Sequence, residues 1–229
     1  DRRIRCHKTT GHGTQTFTQT VMNSCNPAFI EWGRRVGVDN FYTYIDKLGL
    51  TSKTGIDIAG EAGTIIHKKE NVGEVELATM SFGQSFQITP MQMLRAAAAI
   101  VNGGNLVTPH FAIRTCAADK TTYSEFSYST TQEAVSKETS DTMKDILRQV
   151  VEEGGGKKAY IEGFSIGGKT ATSQKLPRGS GKYIASFIGF SDVTDPSVIA
   201  MCLIDEPQGV YYGGTIAAPV IRELYDNIL

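Results

Sequence analysis

Lys169 is the first residue in this sequence whose neighbours suggest chemistry. Gly163-Phe-Ser-Ile-Gly-Gly168-Lys169-Thr170 satisfies the G-x-x-x-x-G-K-[ST] pattern of a phosphate-cradling loop. Val198 to Ile204, followed by Asp205-Glu206, has the form of an acidic strand end that would hold magnesium. A phosphate cradle needs a buried strand before the glycines and a helix N-terminus after the lysine, so that backbone N–H groups converge on the anion. Here Gly-Gly-Gly-Lys-Lys-Ala-Tyr-Ile-Glu precedes Gly163 and Ala-Thr-Ser-Gln-Lys-Leu-Pro follows Thr170, so both contexts fail and a P-loop NTPase is disfavoured. The same stretch spells G-x-S-x-G around Ser165. That elbow also requires a helix, with an acid and then a histidine downstream, yet the last histidine is His110.

Shorter signals remain. Lys53-Thr54-Gly55 spells K-T-G only 27 residues after Asn26, and its expected setting is an exposed turn. Ser24-Cys25-Asn26 is the only S-x-N in the chain, and Lys169-Thr170-Ala171-Thr172 is a near K-T-G that opens a strand about 145 residues later. Taken singly, Asn23 to Asn26 could merely cap the helix at Pro27, and Lys169 could be a solvated strand lysine. Cys6, His7, His12 and Cys25 could be read as zinc ligands, but their spacings fit no usual pattern. No metal and no cofactor are therefore expected.

The elements that must position these groups follow from pattern. The chain has 229 residues, room for one large domain or two small ones, and 40% apolar residues, enough for a sizeable core. Its net charge of −1, with no long basic run, speaks against nucleic-acid binding. The longest apolar stretches, Ala96–Val101 and Val198–Ile204, fall well short of the roughly 20 residues of a membrane span. The opening Asp1-Arg2-Arg3-Ile4-Arg5 has no signal-peptide character and suggests a piece of something longer. Four cysteines without C-x-x-C spacing are too few for a disulfide scaffold.

Helices are predicted from Pro27 to Val36 with a stop at Gly37, from Asn40 to Leu48, from Pro90 to Val101, and from near Ser136 to the Gly154-Gly155-Gly156 run. The period then changes. Ile166 to Gln174, Tyr183 to Asp192 and Val198 to Ile204 read as strands, and Ala217 to Leu229 as a closing helix. This gives an α/β (α+β) layering with an antiparallel sheet, residues 1–155 mainly helical and 156–229 a three-stranded sheet plus a C-terminal helix.

The order of the motifs resembles a known family. Gly11-His12-Gly13, Ser24-Cys-Asn-Pro-Ala-Phe-Ile30, Thr54-Gly-Ile-Asp-Ile58 with Gly60-Glu61, Ser81-Phe-Gly-Gln84 with Thr89-Pro90, Ser186-Phe-Ile-Gly-Phe190 and Tyr211-Tyr-Gly-Gly214 with Ala217-Ala-Pro219 run in that order. The chain resembles the C-terminal part of the transpeptidase domain of class B penicillin-binding proteins, sporulation-type enzymes included. The likeness implies a β-lactamase/transpeptidase-like fold, here lacking its N-terminal strands and nucleophile helix. It implies serine acyl transfer on the D-Ala-D-Ala ends of peptidoglycan stem peptides, with β-lactams as mimics, at the extracytoplasmic face of the bacterial membrane behind an upstream anchor. Cell-wall synthesis or division-complex proteins are the expected partners.

On this resemblance Ser24 relays a proton and Asn26 holds the substrate amide. Lys169 supplies positive charge, Thr170 and Thr172 bind the substrate carboxylate, and the Thr172 N–H is one of two oxyanion donors. Two departures stand out. No lysine in the chain has a serine three residues before it, so the family's S-x-x-K nucleophile is expected upstream and the fragment is expected to be inert alone. Ala171 replaces the family's glycine, where a bare backbone lets the substrate lie flat on the strand. With the upstream strands absent, the sheet is expected to expose an edge through which the fragment self-associates. Cys6 and Cys25, 19 residues apart, are read either as a pair close enough for a reversible disulfide or as two unrelated, partly buried thiols. The rival outside enzymology is a non-catalytic transpeptidase-like binding or scaffold module.

Overall fold

The computed structural model describes residues 4–177 and 179–229; residues 1–3 and Arg178 lie outside them. The first helix, α1 (Phe17–Met22), starts with a reciprocal cap in which Thr16 Oγ1 accepts from the Gln19 N–H and Gln19 Oε1 accepts from the Thr16 N–H. A tight turn through Ser24 leads into α2 (Asn26–Lys47), with Pro27 in its first turn. The two helices expected on either side of Gly37 are one rod broken there, where φ is 75° and ψ 163°. Against it packs α3 (Glu74–Ser81), so closely that a Cβ on Gly33 would stand 1.8 Å from Ser81 Oγ.

A second Thr/Gln cap, Thr89 with Gln92, opens α4 (Pro90–Val101) at the expected bounds. Two small ribbons follow: β1 (Leu106–Val107) pairs with β4 (Thr130–Thr131), and β2 (Arg114–Cys116) with β3 (Tyr123–Glu125). Neither they nor α1 and α3 were expected, because segments this short show no repeat of hydrophobic period. Ser136 caps α5 (Lys137–Glu152), as its position predicts.

The sheet itself agrees with the sequence reading to within a residue. β5 (Ile166–Gln174), β6 (Tyr183–Ser191) and β7 (Val198–Asp205) run antiparallel in the order β5-β6-β7, with Lys169 opposite Ile188 and Thr172 opposite Ala185. The chain closes with the short α6 (Gly213–Ile216) and α7 (Ala218–Ile228), divided at Ala217. One sheet face, carrying Phe187, packs under Ala218, Ile221 and Tyr225 of α7, all essentially solvent-free. Tyr225, buried to zero exposure, satisfies its hydroxyl by donating to the Gly189 carbonyl at 2.6 Å. Being edge strands, β5 and β7 each keep one side of their backbone outside the three-stranded ladder.

The loop after α5 joins the two halves. α1 lies on α5 through Val21, Ile146 and Val150, and its last turn reaches the glycine run, where the Gly155 N–H donates to Met22 O. α6 closes over the same loop, so that a Cβ on Gly214 would fall 2.4 Å from the Gly155 carbonyl oxygen. At Gly214 the α6 backbone thus meets the loop with no room for a methyl group. Gly214→Ala is expected to lower stability by about 1–3 kcal/mol, the usual cost of overpacking, read as a fall in the urea midpoint at unchanged slope.

Candidate active site

Ser24 sits at the sharp end of the α1–α2 turn. Its N–H donates to Val21 O and that of Cys25 to Thr20 O, which winds the chain back on itself and forces Ser24 to φ 48°. Left-handed backbone at a serine is uncommon and costs energy that the surrounding packing must hold. The turn carries the Ser24 hydroxyl to Lys169, whose ammonium donates to Ser24 Oγ and to Thr170 O, both at 3.0 Å. Residues 145 apart in sequence are therefore in direct contact.

Lys169 lies within β5, in an extended strand and not on a loop before a helix. That geometry removes the phosphate-cradle and nucleophile-elbow readings, since both need a helix N-terminus at this point. The residue as a whole is half-buried, but enough protein surrounds the ammonium to bring its pKa down from 10.5 to about 8 by desolvation alone.

Ser24, Asn26 and Lys169 line one cleft of about 980 Å³, together with Thr170, Ala171 and Thr172 of β5. Ala171 and Thr172 are exposed along it. Thr172 Oγ1 accepts from the Gly213 N–H at 3.1 Å, which orients its hydroxyl hydrogen away from α6. Because β5 is an edge strand, alternate N–H groups on its outer side are free of the ladder and available to a bound carbonyl or carboxylate.

The cleft also contains residues to which the sequence reading gave no role. Gln84 Nε2 donates to Ser173 Oγ at 3.2 Å, tying the loop after α3 to the far end of β5. Phe29, Met93, Met201 and Leu203 form an apolar floor. The signal for Gln84 was present in Ser81-Phe-Gly-Gln84 just before the Thr89 cap; the apolar floor left no local mark.

Lys53-Thr54-Gly55 corrects one expectation. It is not wholly an exposed turn: Thr54 is 3% exposed, and its N–H donates to Glu61 Oε1 at 2.8 Å. The triplet is held from inside and lies apart from the residues lining the cleft.

Cys6 and Cys25 are free thiols. Cys25 is buried at the head of α2, while Cys6 Sγ faces His7 Nδ1 at 3.5 Å and His12 Nδ1 at 3.6 Å. The His7 pKa is lowered by burial first, then by the neighbouring His12 and by the charge of Lys169.

An antiparallel sheet with a lysine-bearing edge strand, faced by a serine and an asparagine on a helical turn, defines a transpeptidase-like domain. The chain belongs to the penicillin-binding protein transpeptidase domain family, whose model matches residues 1–226. It is 43% identical over 232 residues to stage V sporulation protein D of Bacillus subtilis, covering 99% of this chain and 36% of that protein. It is 30% identical to a probable peptidoglycan D,D-transpeptidase PenA of Neisseria meningitidis, covering 91% of this chain and 35% of PenA. Penicillin-binding protein 3 of Mycobacterium tuberculosis in complex with aztreonam superposes with a TM-score of 0.84 at 26% identity, over 93% of this chain and 50% of that one. The chain spans about a third of the length of the curated relatives it matches.

The depressed Lys169 pKa has a testable sign. Between pH 8 and 10.5 the folded state has released the proton that the unfolded chain still holds, so stability rises with pH across that window and the desolvation penalty is fully present below it. Lys169→Met is expected to lack this rise, so that the variant-minus-parent difference in unfolding free energy changes between pH 7.5 and 10.5 and is flat below. Denaturant titrations at stepped pH check it; a difference independent of pH would mean that the ammonium is solvated.

Proposed function

We propose that this chain forms the C-terminal part of a serine D,D-transpeptidase domain that cross-links peptidoglycan at the extracytoplasmic face of the bacterial membrane, and that β-lactams acylate the same site. The observation that carries this reading is the contact of Lys169 with Ser24 in one cleft with Asn26 and the β5 edge. In the longer protein a serine from an upstream S-x-x-K segment attacks the carbonyl carbon of the penultimate D-Ala. The bond to the terminal D-Ala breaks, that residue leaves as its amine, and an acyl-enzyme ester remains. An amine from a neighbouring stem then attacks the ester, forming the cross-link and releasing the serine hydroxyl.

The residues described here serve those steps. Ser24 passes the proton needed by the departing amine, and Lys169, titrating near 8, is suited to share that relay. Asn26 holds the stem amide, and the Thr170 and Thr172 hydroxyls bind the terminal carboxylate. The Thr172 N–H is one of two donors to the oxyanion, a role worth about 3 kcal/mol of barrier elsewhere. Ala171 adds a methyl group where the family has none, and the expected consequence is weaker β-lactam capture. The unpaired edge of β7 takes a further strand of the longer protein, and in its absence pairs with a second copy. Light scattering is expected to show mass rising with concentration; a monomer throughout contradicts the pairing.

Fluorescent penicillin tests the chemistry. This chain alone, lacking S-x-x-K, is expected to gain no mass by intact-protein spectrometry, whereas the longer protein acquires one covalent label. Ser24→Ala in the longer protein is expected to slow labelling by about 10²–10⁴-fold, the range for a lost proton-transfer group, and Asn26→Ala to weaken capture of the stem amide. A longer protein that binds stem peptides yet takes no label would instead be a non-catalytic scaffold module.

A further inference from the structure

Cys6, His7, His12 and Cys25 fit no usual zinc-ligand spacing, yet the first three converge in space. Adjacent ligands followed by a third five residues on can converge only if the chain turns sharply between them. It does so here. The Gly11 N–H closes a turn onto Lys8 O at 3.0 Å, and Gly11 takes a φ of 78°, which turns the chain between His7 and His12. The ligand atoms of all three residues lie within 4.8 Å of one another. The two imidazole rings are tilted at 58° with centroids 5.6 Å apart, so their nitrogens converge without stacking.

The two sulfur–nitrogen separations match those of a coordination polyhedron. With zinc–sulfur bonds of ~2.3 Å and zinc–nitrogen bonds of ~2.05 Å, a tetrahedral site places sulfur and nitrogen ligands ~3.6 Å apart. Cys6 Sγ lies 3.5 Å from His7 Nδ1 and 3.6 Å from His12 Nδ1.

We propose that Cys6, His7 and His12 form a three-ligand site for zinc, or a divalent cation of similar softness, with the fourth coordination position open. One thiolate and two neutral imidazoles are a donor set that selects such a metal over magnesium or calcium. Binding converts the Cys6 thiol to a thiolate and releases its proton to solvent, and each imidazole donates a nitrogen lone pair without further change. Metal in this position withdraws Cys6 from thiol chemistry and from any pairing with Cys25. The inference does not depend on transpeptidase activity.

Cobalt and zinc salts added to the metal-free, reduced 229-residue chain test it. One equivalent of cobalt is expected to produce tetrahedral d–d absorption with a thiolate-to-metal charge-transfer band, bleached by zinc. Cys6→Ser is expected to abolish that band, and Cys6→Ser and His12→Ala each to weaken zinc binding by more than ~100-fold, beyond the loss of an outer-sphere partner. His110→Ala, remote from the cluster, is expected to bind as the parent does. Circular dichroism of each variant separates lost binding from lost folding. The unmutated protein supplies an independent arm: zinc is expected to slow alkylation of Cys6 at least tenfold while the exposed Cys116 reacts unchanged, and a chelator to restore the rate. Absence of the charge-transfer band, zinc binding that survives Cys6→Ser, or equal protection of Cys116 overturns the proposal.

Discussion

The arrangement of this domain depends on where one ammonium group is held. Lys169 projects from an edge strand into a space poor in water, and a desolvated charge there must find acceptors. It finds one in its own strand, the Thr170 carbonyl, and one across the molecule, the Ser24 hydroxyl. That second bond ties the sheet to the turn between α1 and α2. The lowered pKa and the left-handed Ser24 backbone both mark the energetic cost of the arrangement, and both fall at the point of contact.

What holds the contact in place is packing away from it. α1 is too short to be stable alone, so its position comes from Val21 seated on Ile146 and Val150 of α5. Three glycines follow α5, and at Gly154 and Gly156 the exit loop passes its neighbours at distances tight for a side chain. On the other side, α7 anchors the sheet through Ile221 and Tyr225 against Phe187. The result is a site built from a strand edge and a loop, each backed by a buried layer. The strand contributes precision; the turn contributes a hydroxyl that a helix interior could not present at that angle.

The amino-terminal loop shows the same economy in a different setting. Residues 6–12 have no regular secondary structure that would dictate their placement, yet a turn closed at the left-handed Gly11 brings a thiol and two imidazoles to one point. Cys25 is buried at the head of α2, while the flanking Ser24 and Asn26 line the cleft. Two cysteines of similar sequence context thus occupy different physical environments.

By itself the sequence determined the long elements and the identities of the principal polar residues. β5, β6 and β7, the α4 bounds, the Ser136 cap and the Gly37 break all follow from period, capping and glycine, which are local and need no partner to be read. Ser24, Asn26 and Lys169 were legible as a set through the order of the motifs. Tertiary structure alone decided the rest. Short elements such as α1, α3 and the two ribbons leave no periodic trace, because their stability comes from what they pack against. Thr54 looked like an exposed turn residue until Glu61 was seen to satisfy its N–H from within. Gln84 reaches Ser173 across 89 positions, and Met201 and Leu203 floor the cleft only because β7 lies two strands from β5. Cys6, His7 and His12 failed a spacing rule that assumes regular loops, and met in space through a glycine turn. Contacts between distant segments depend on how layers stack, and no local pattern carries that information.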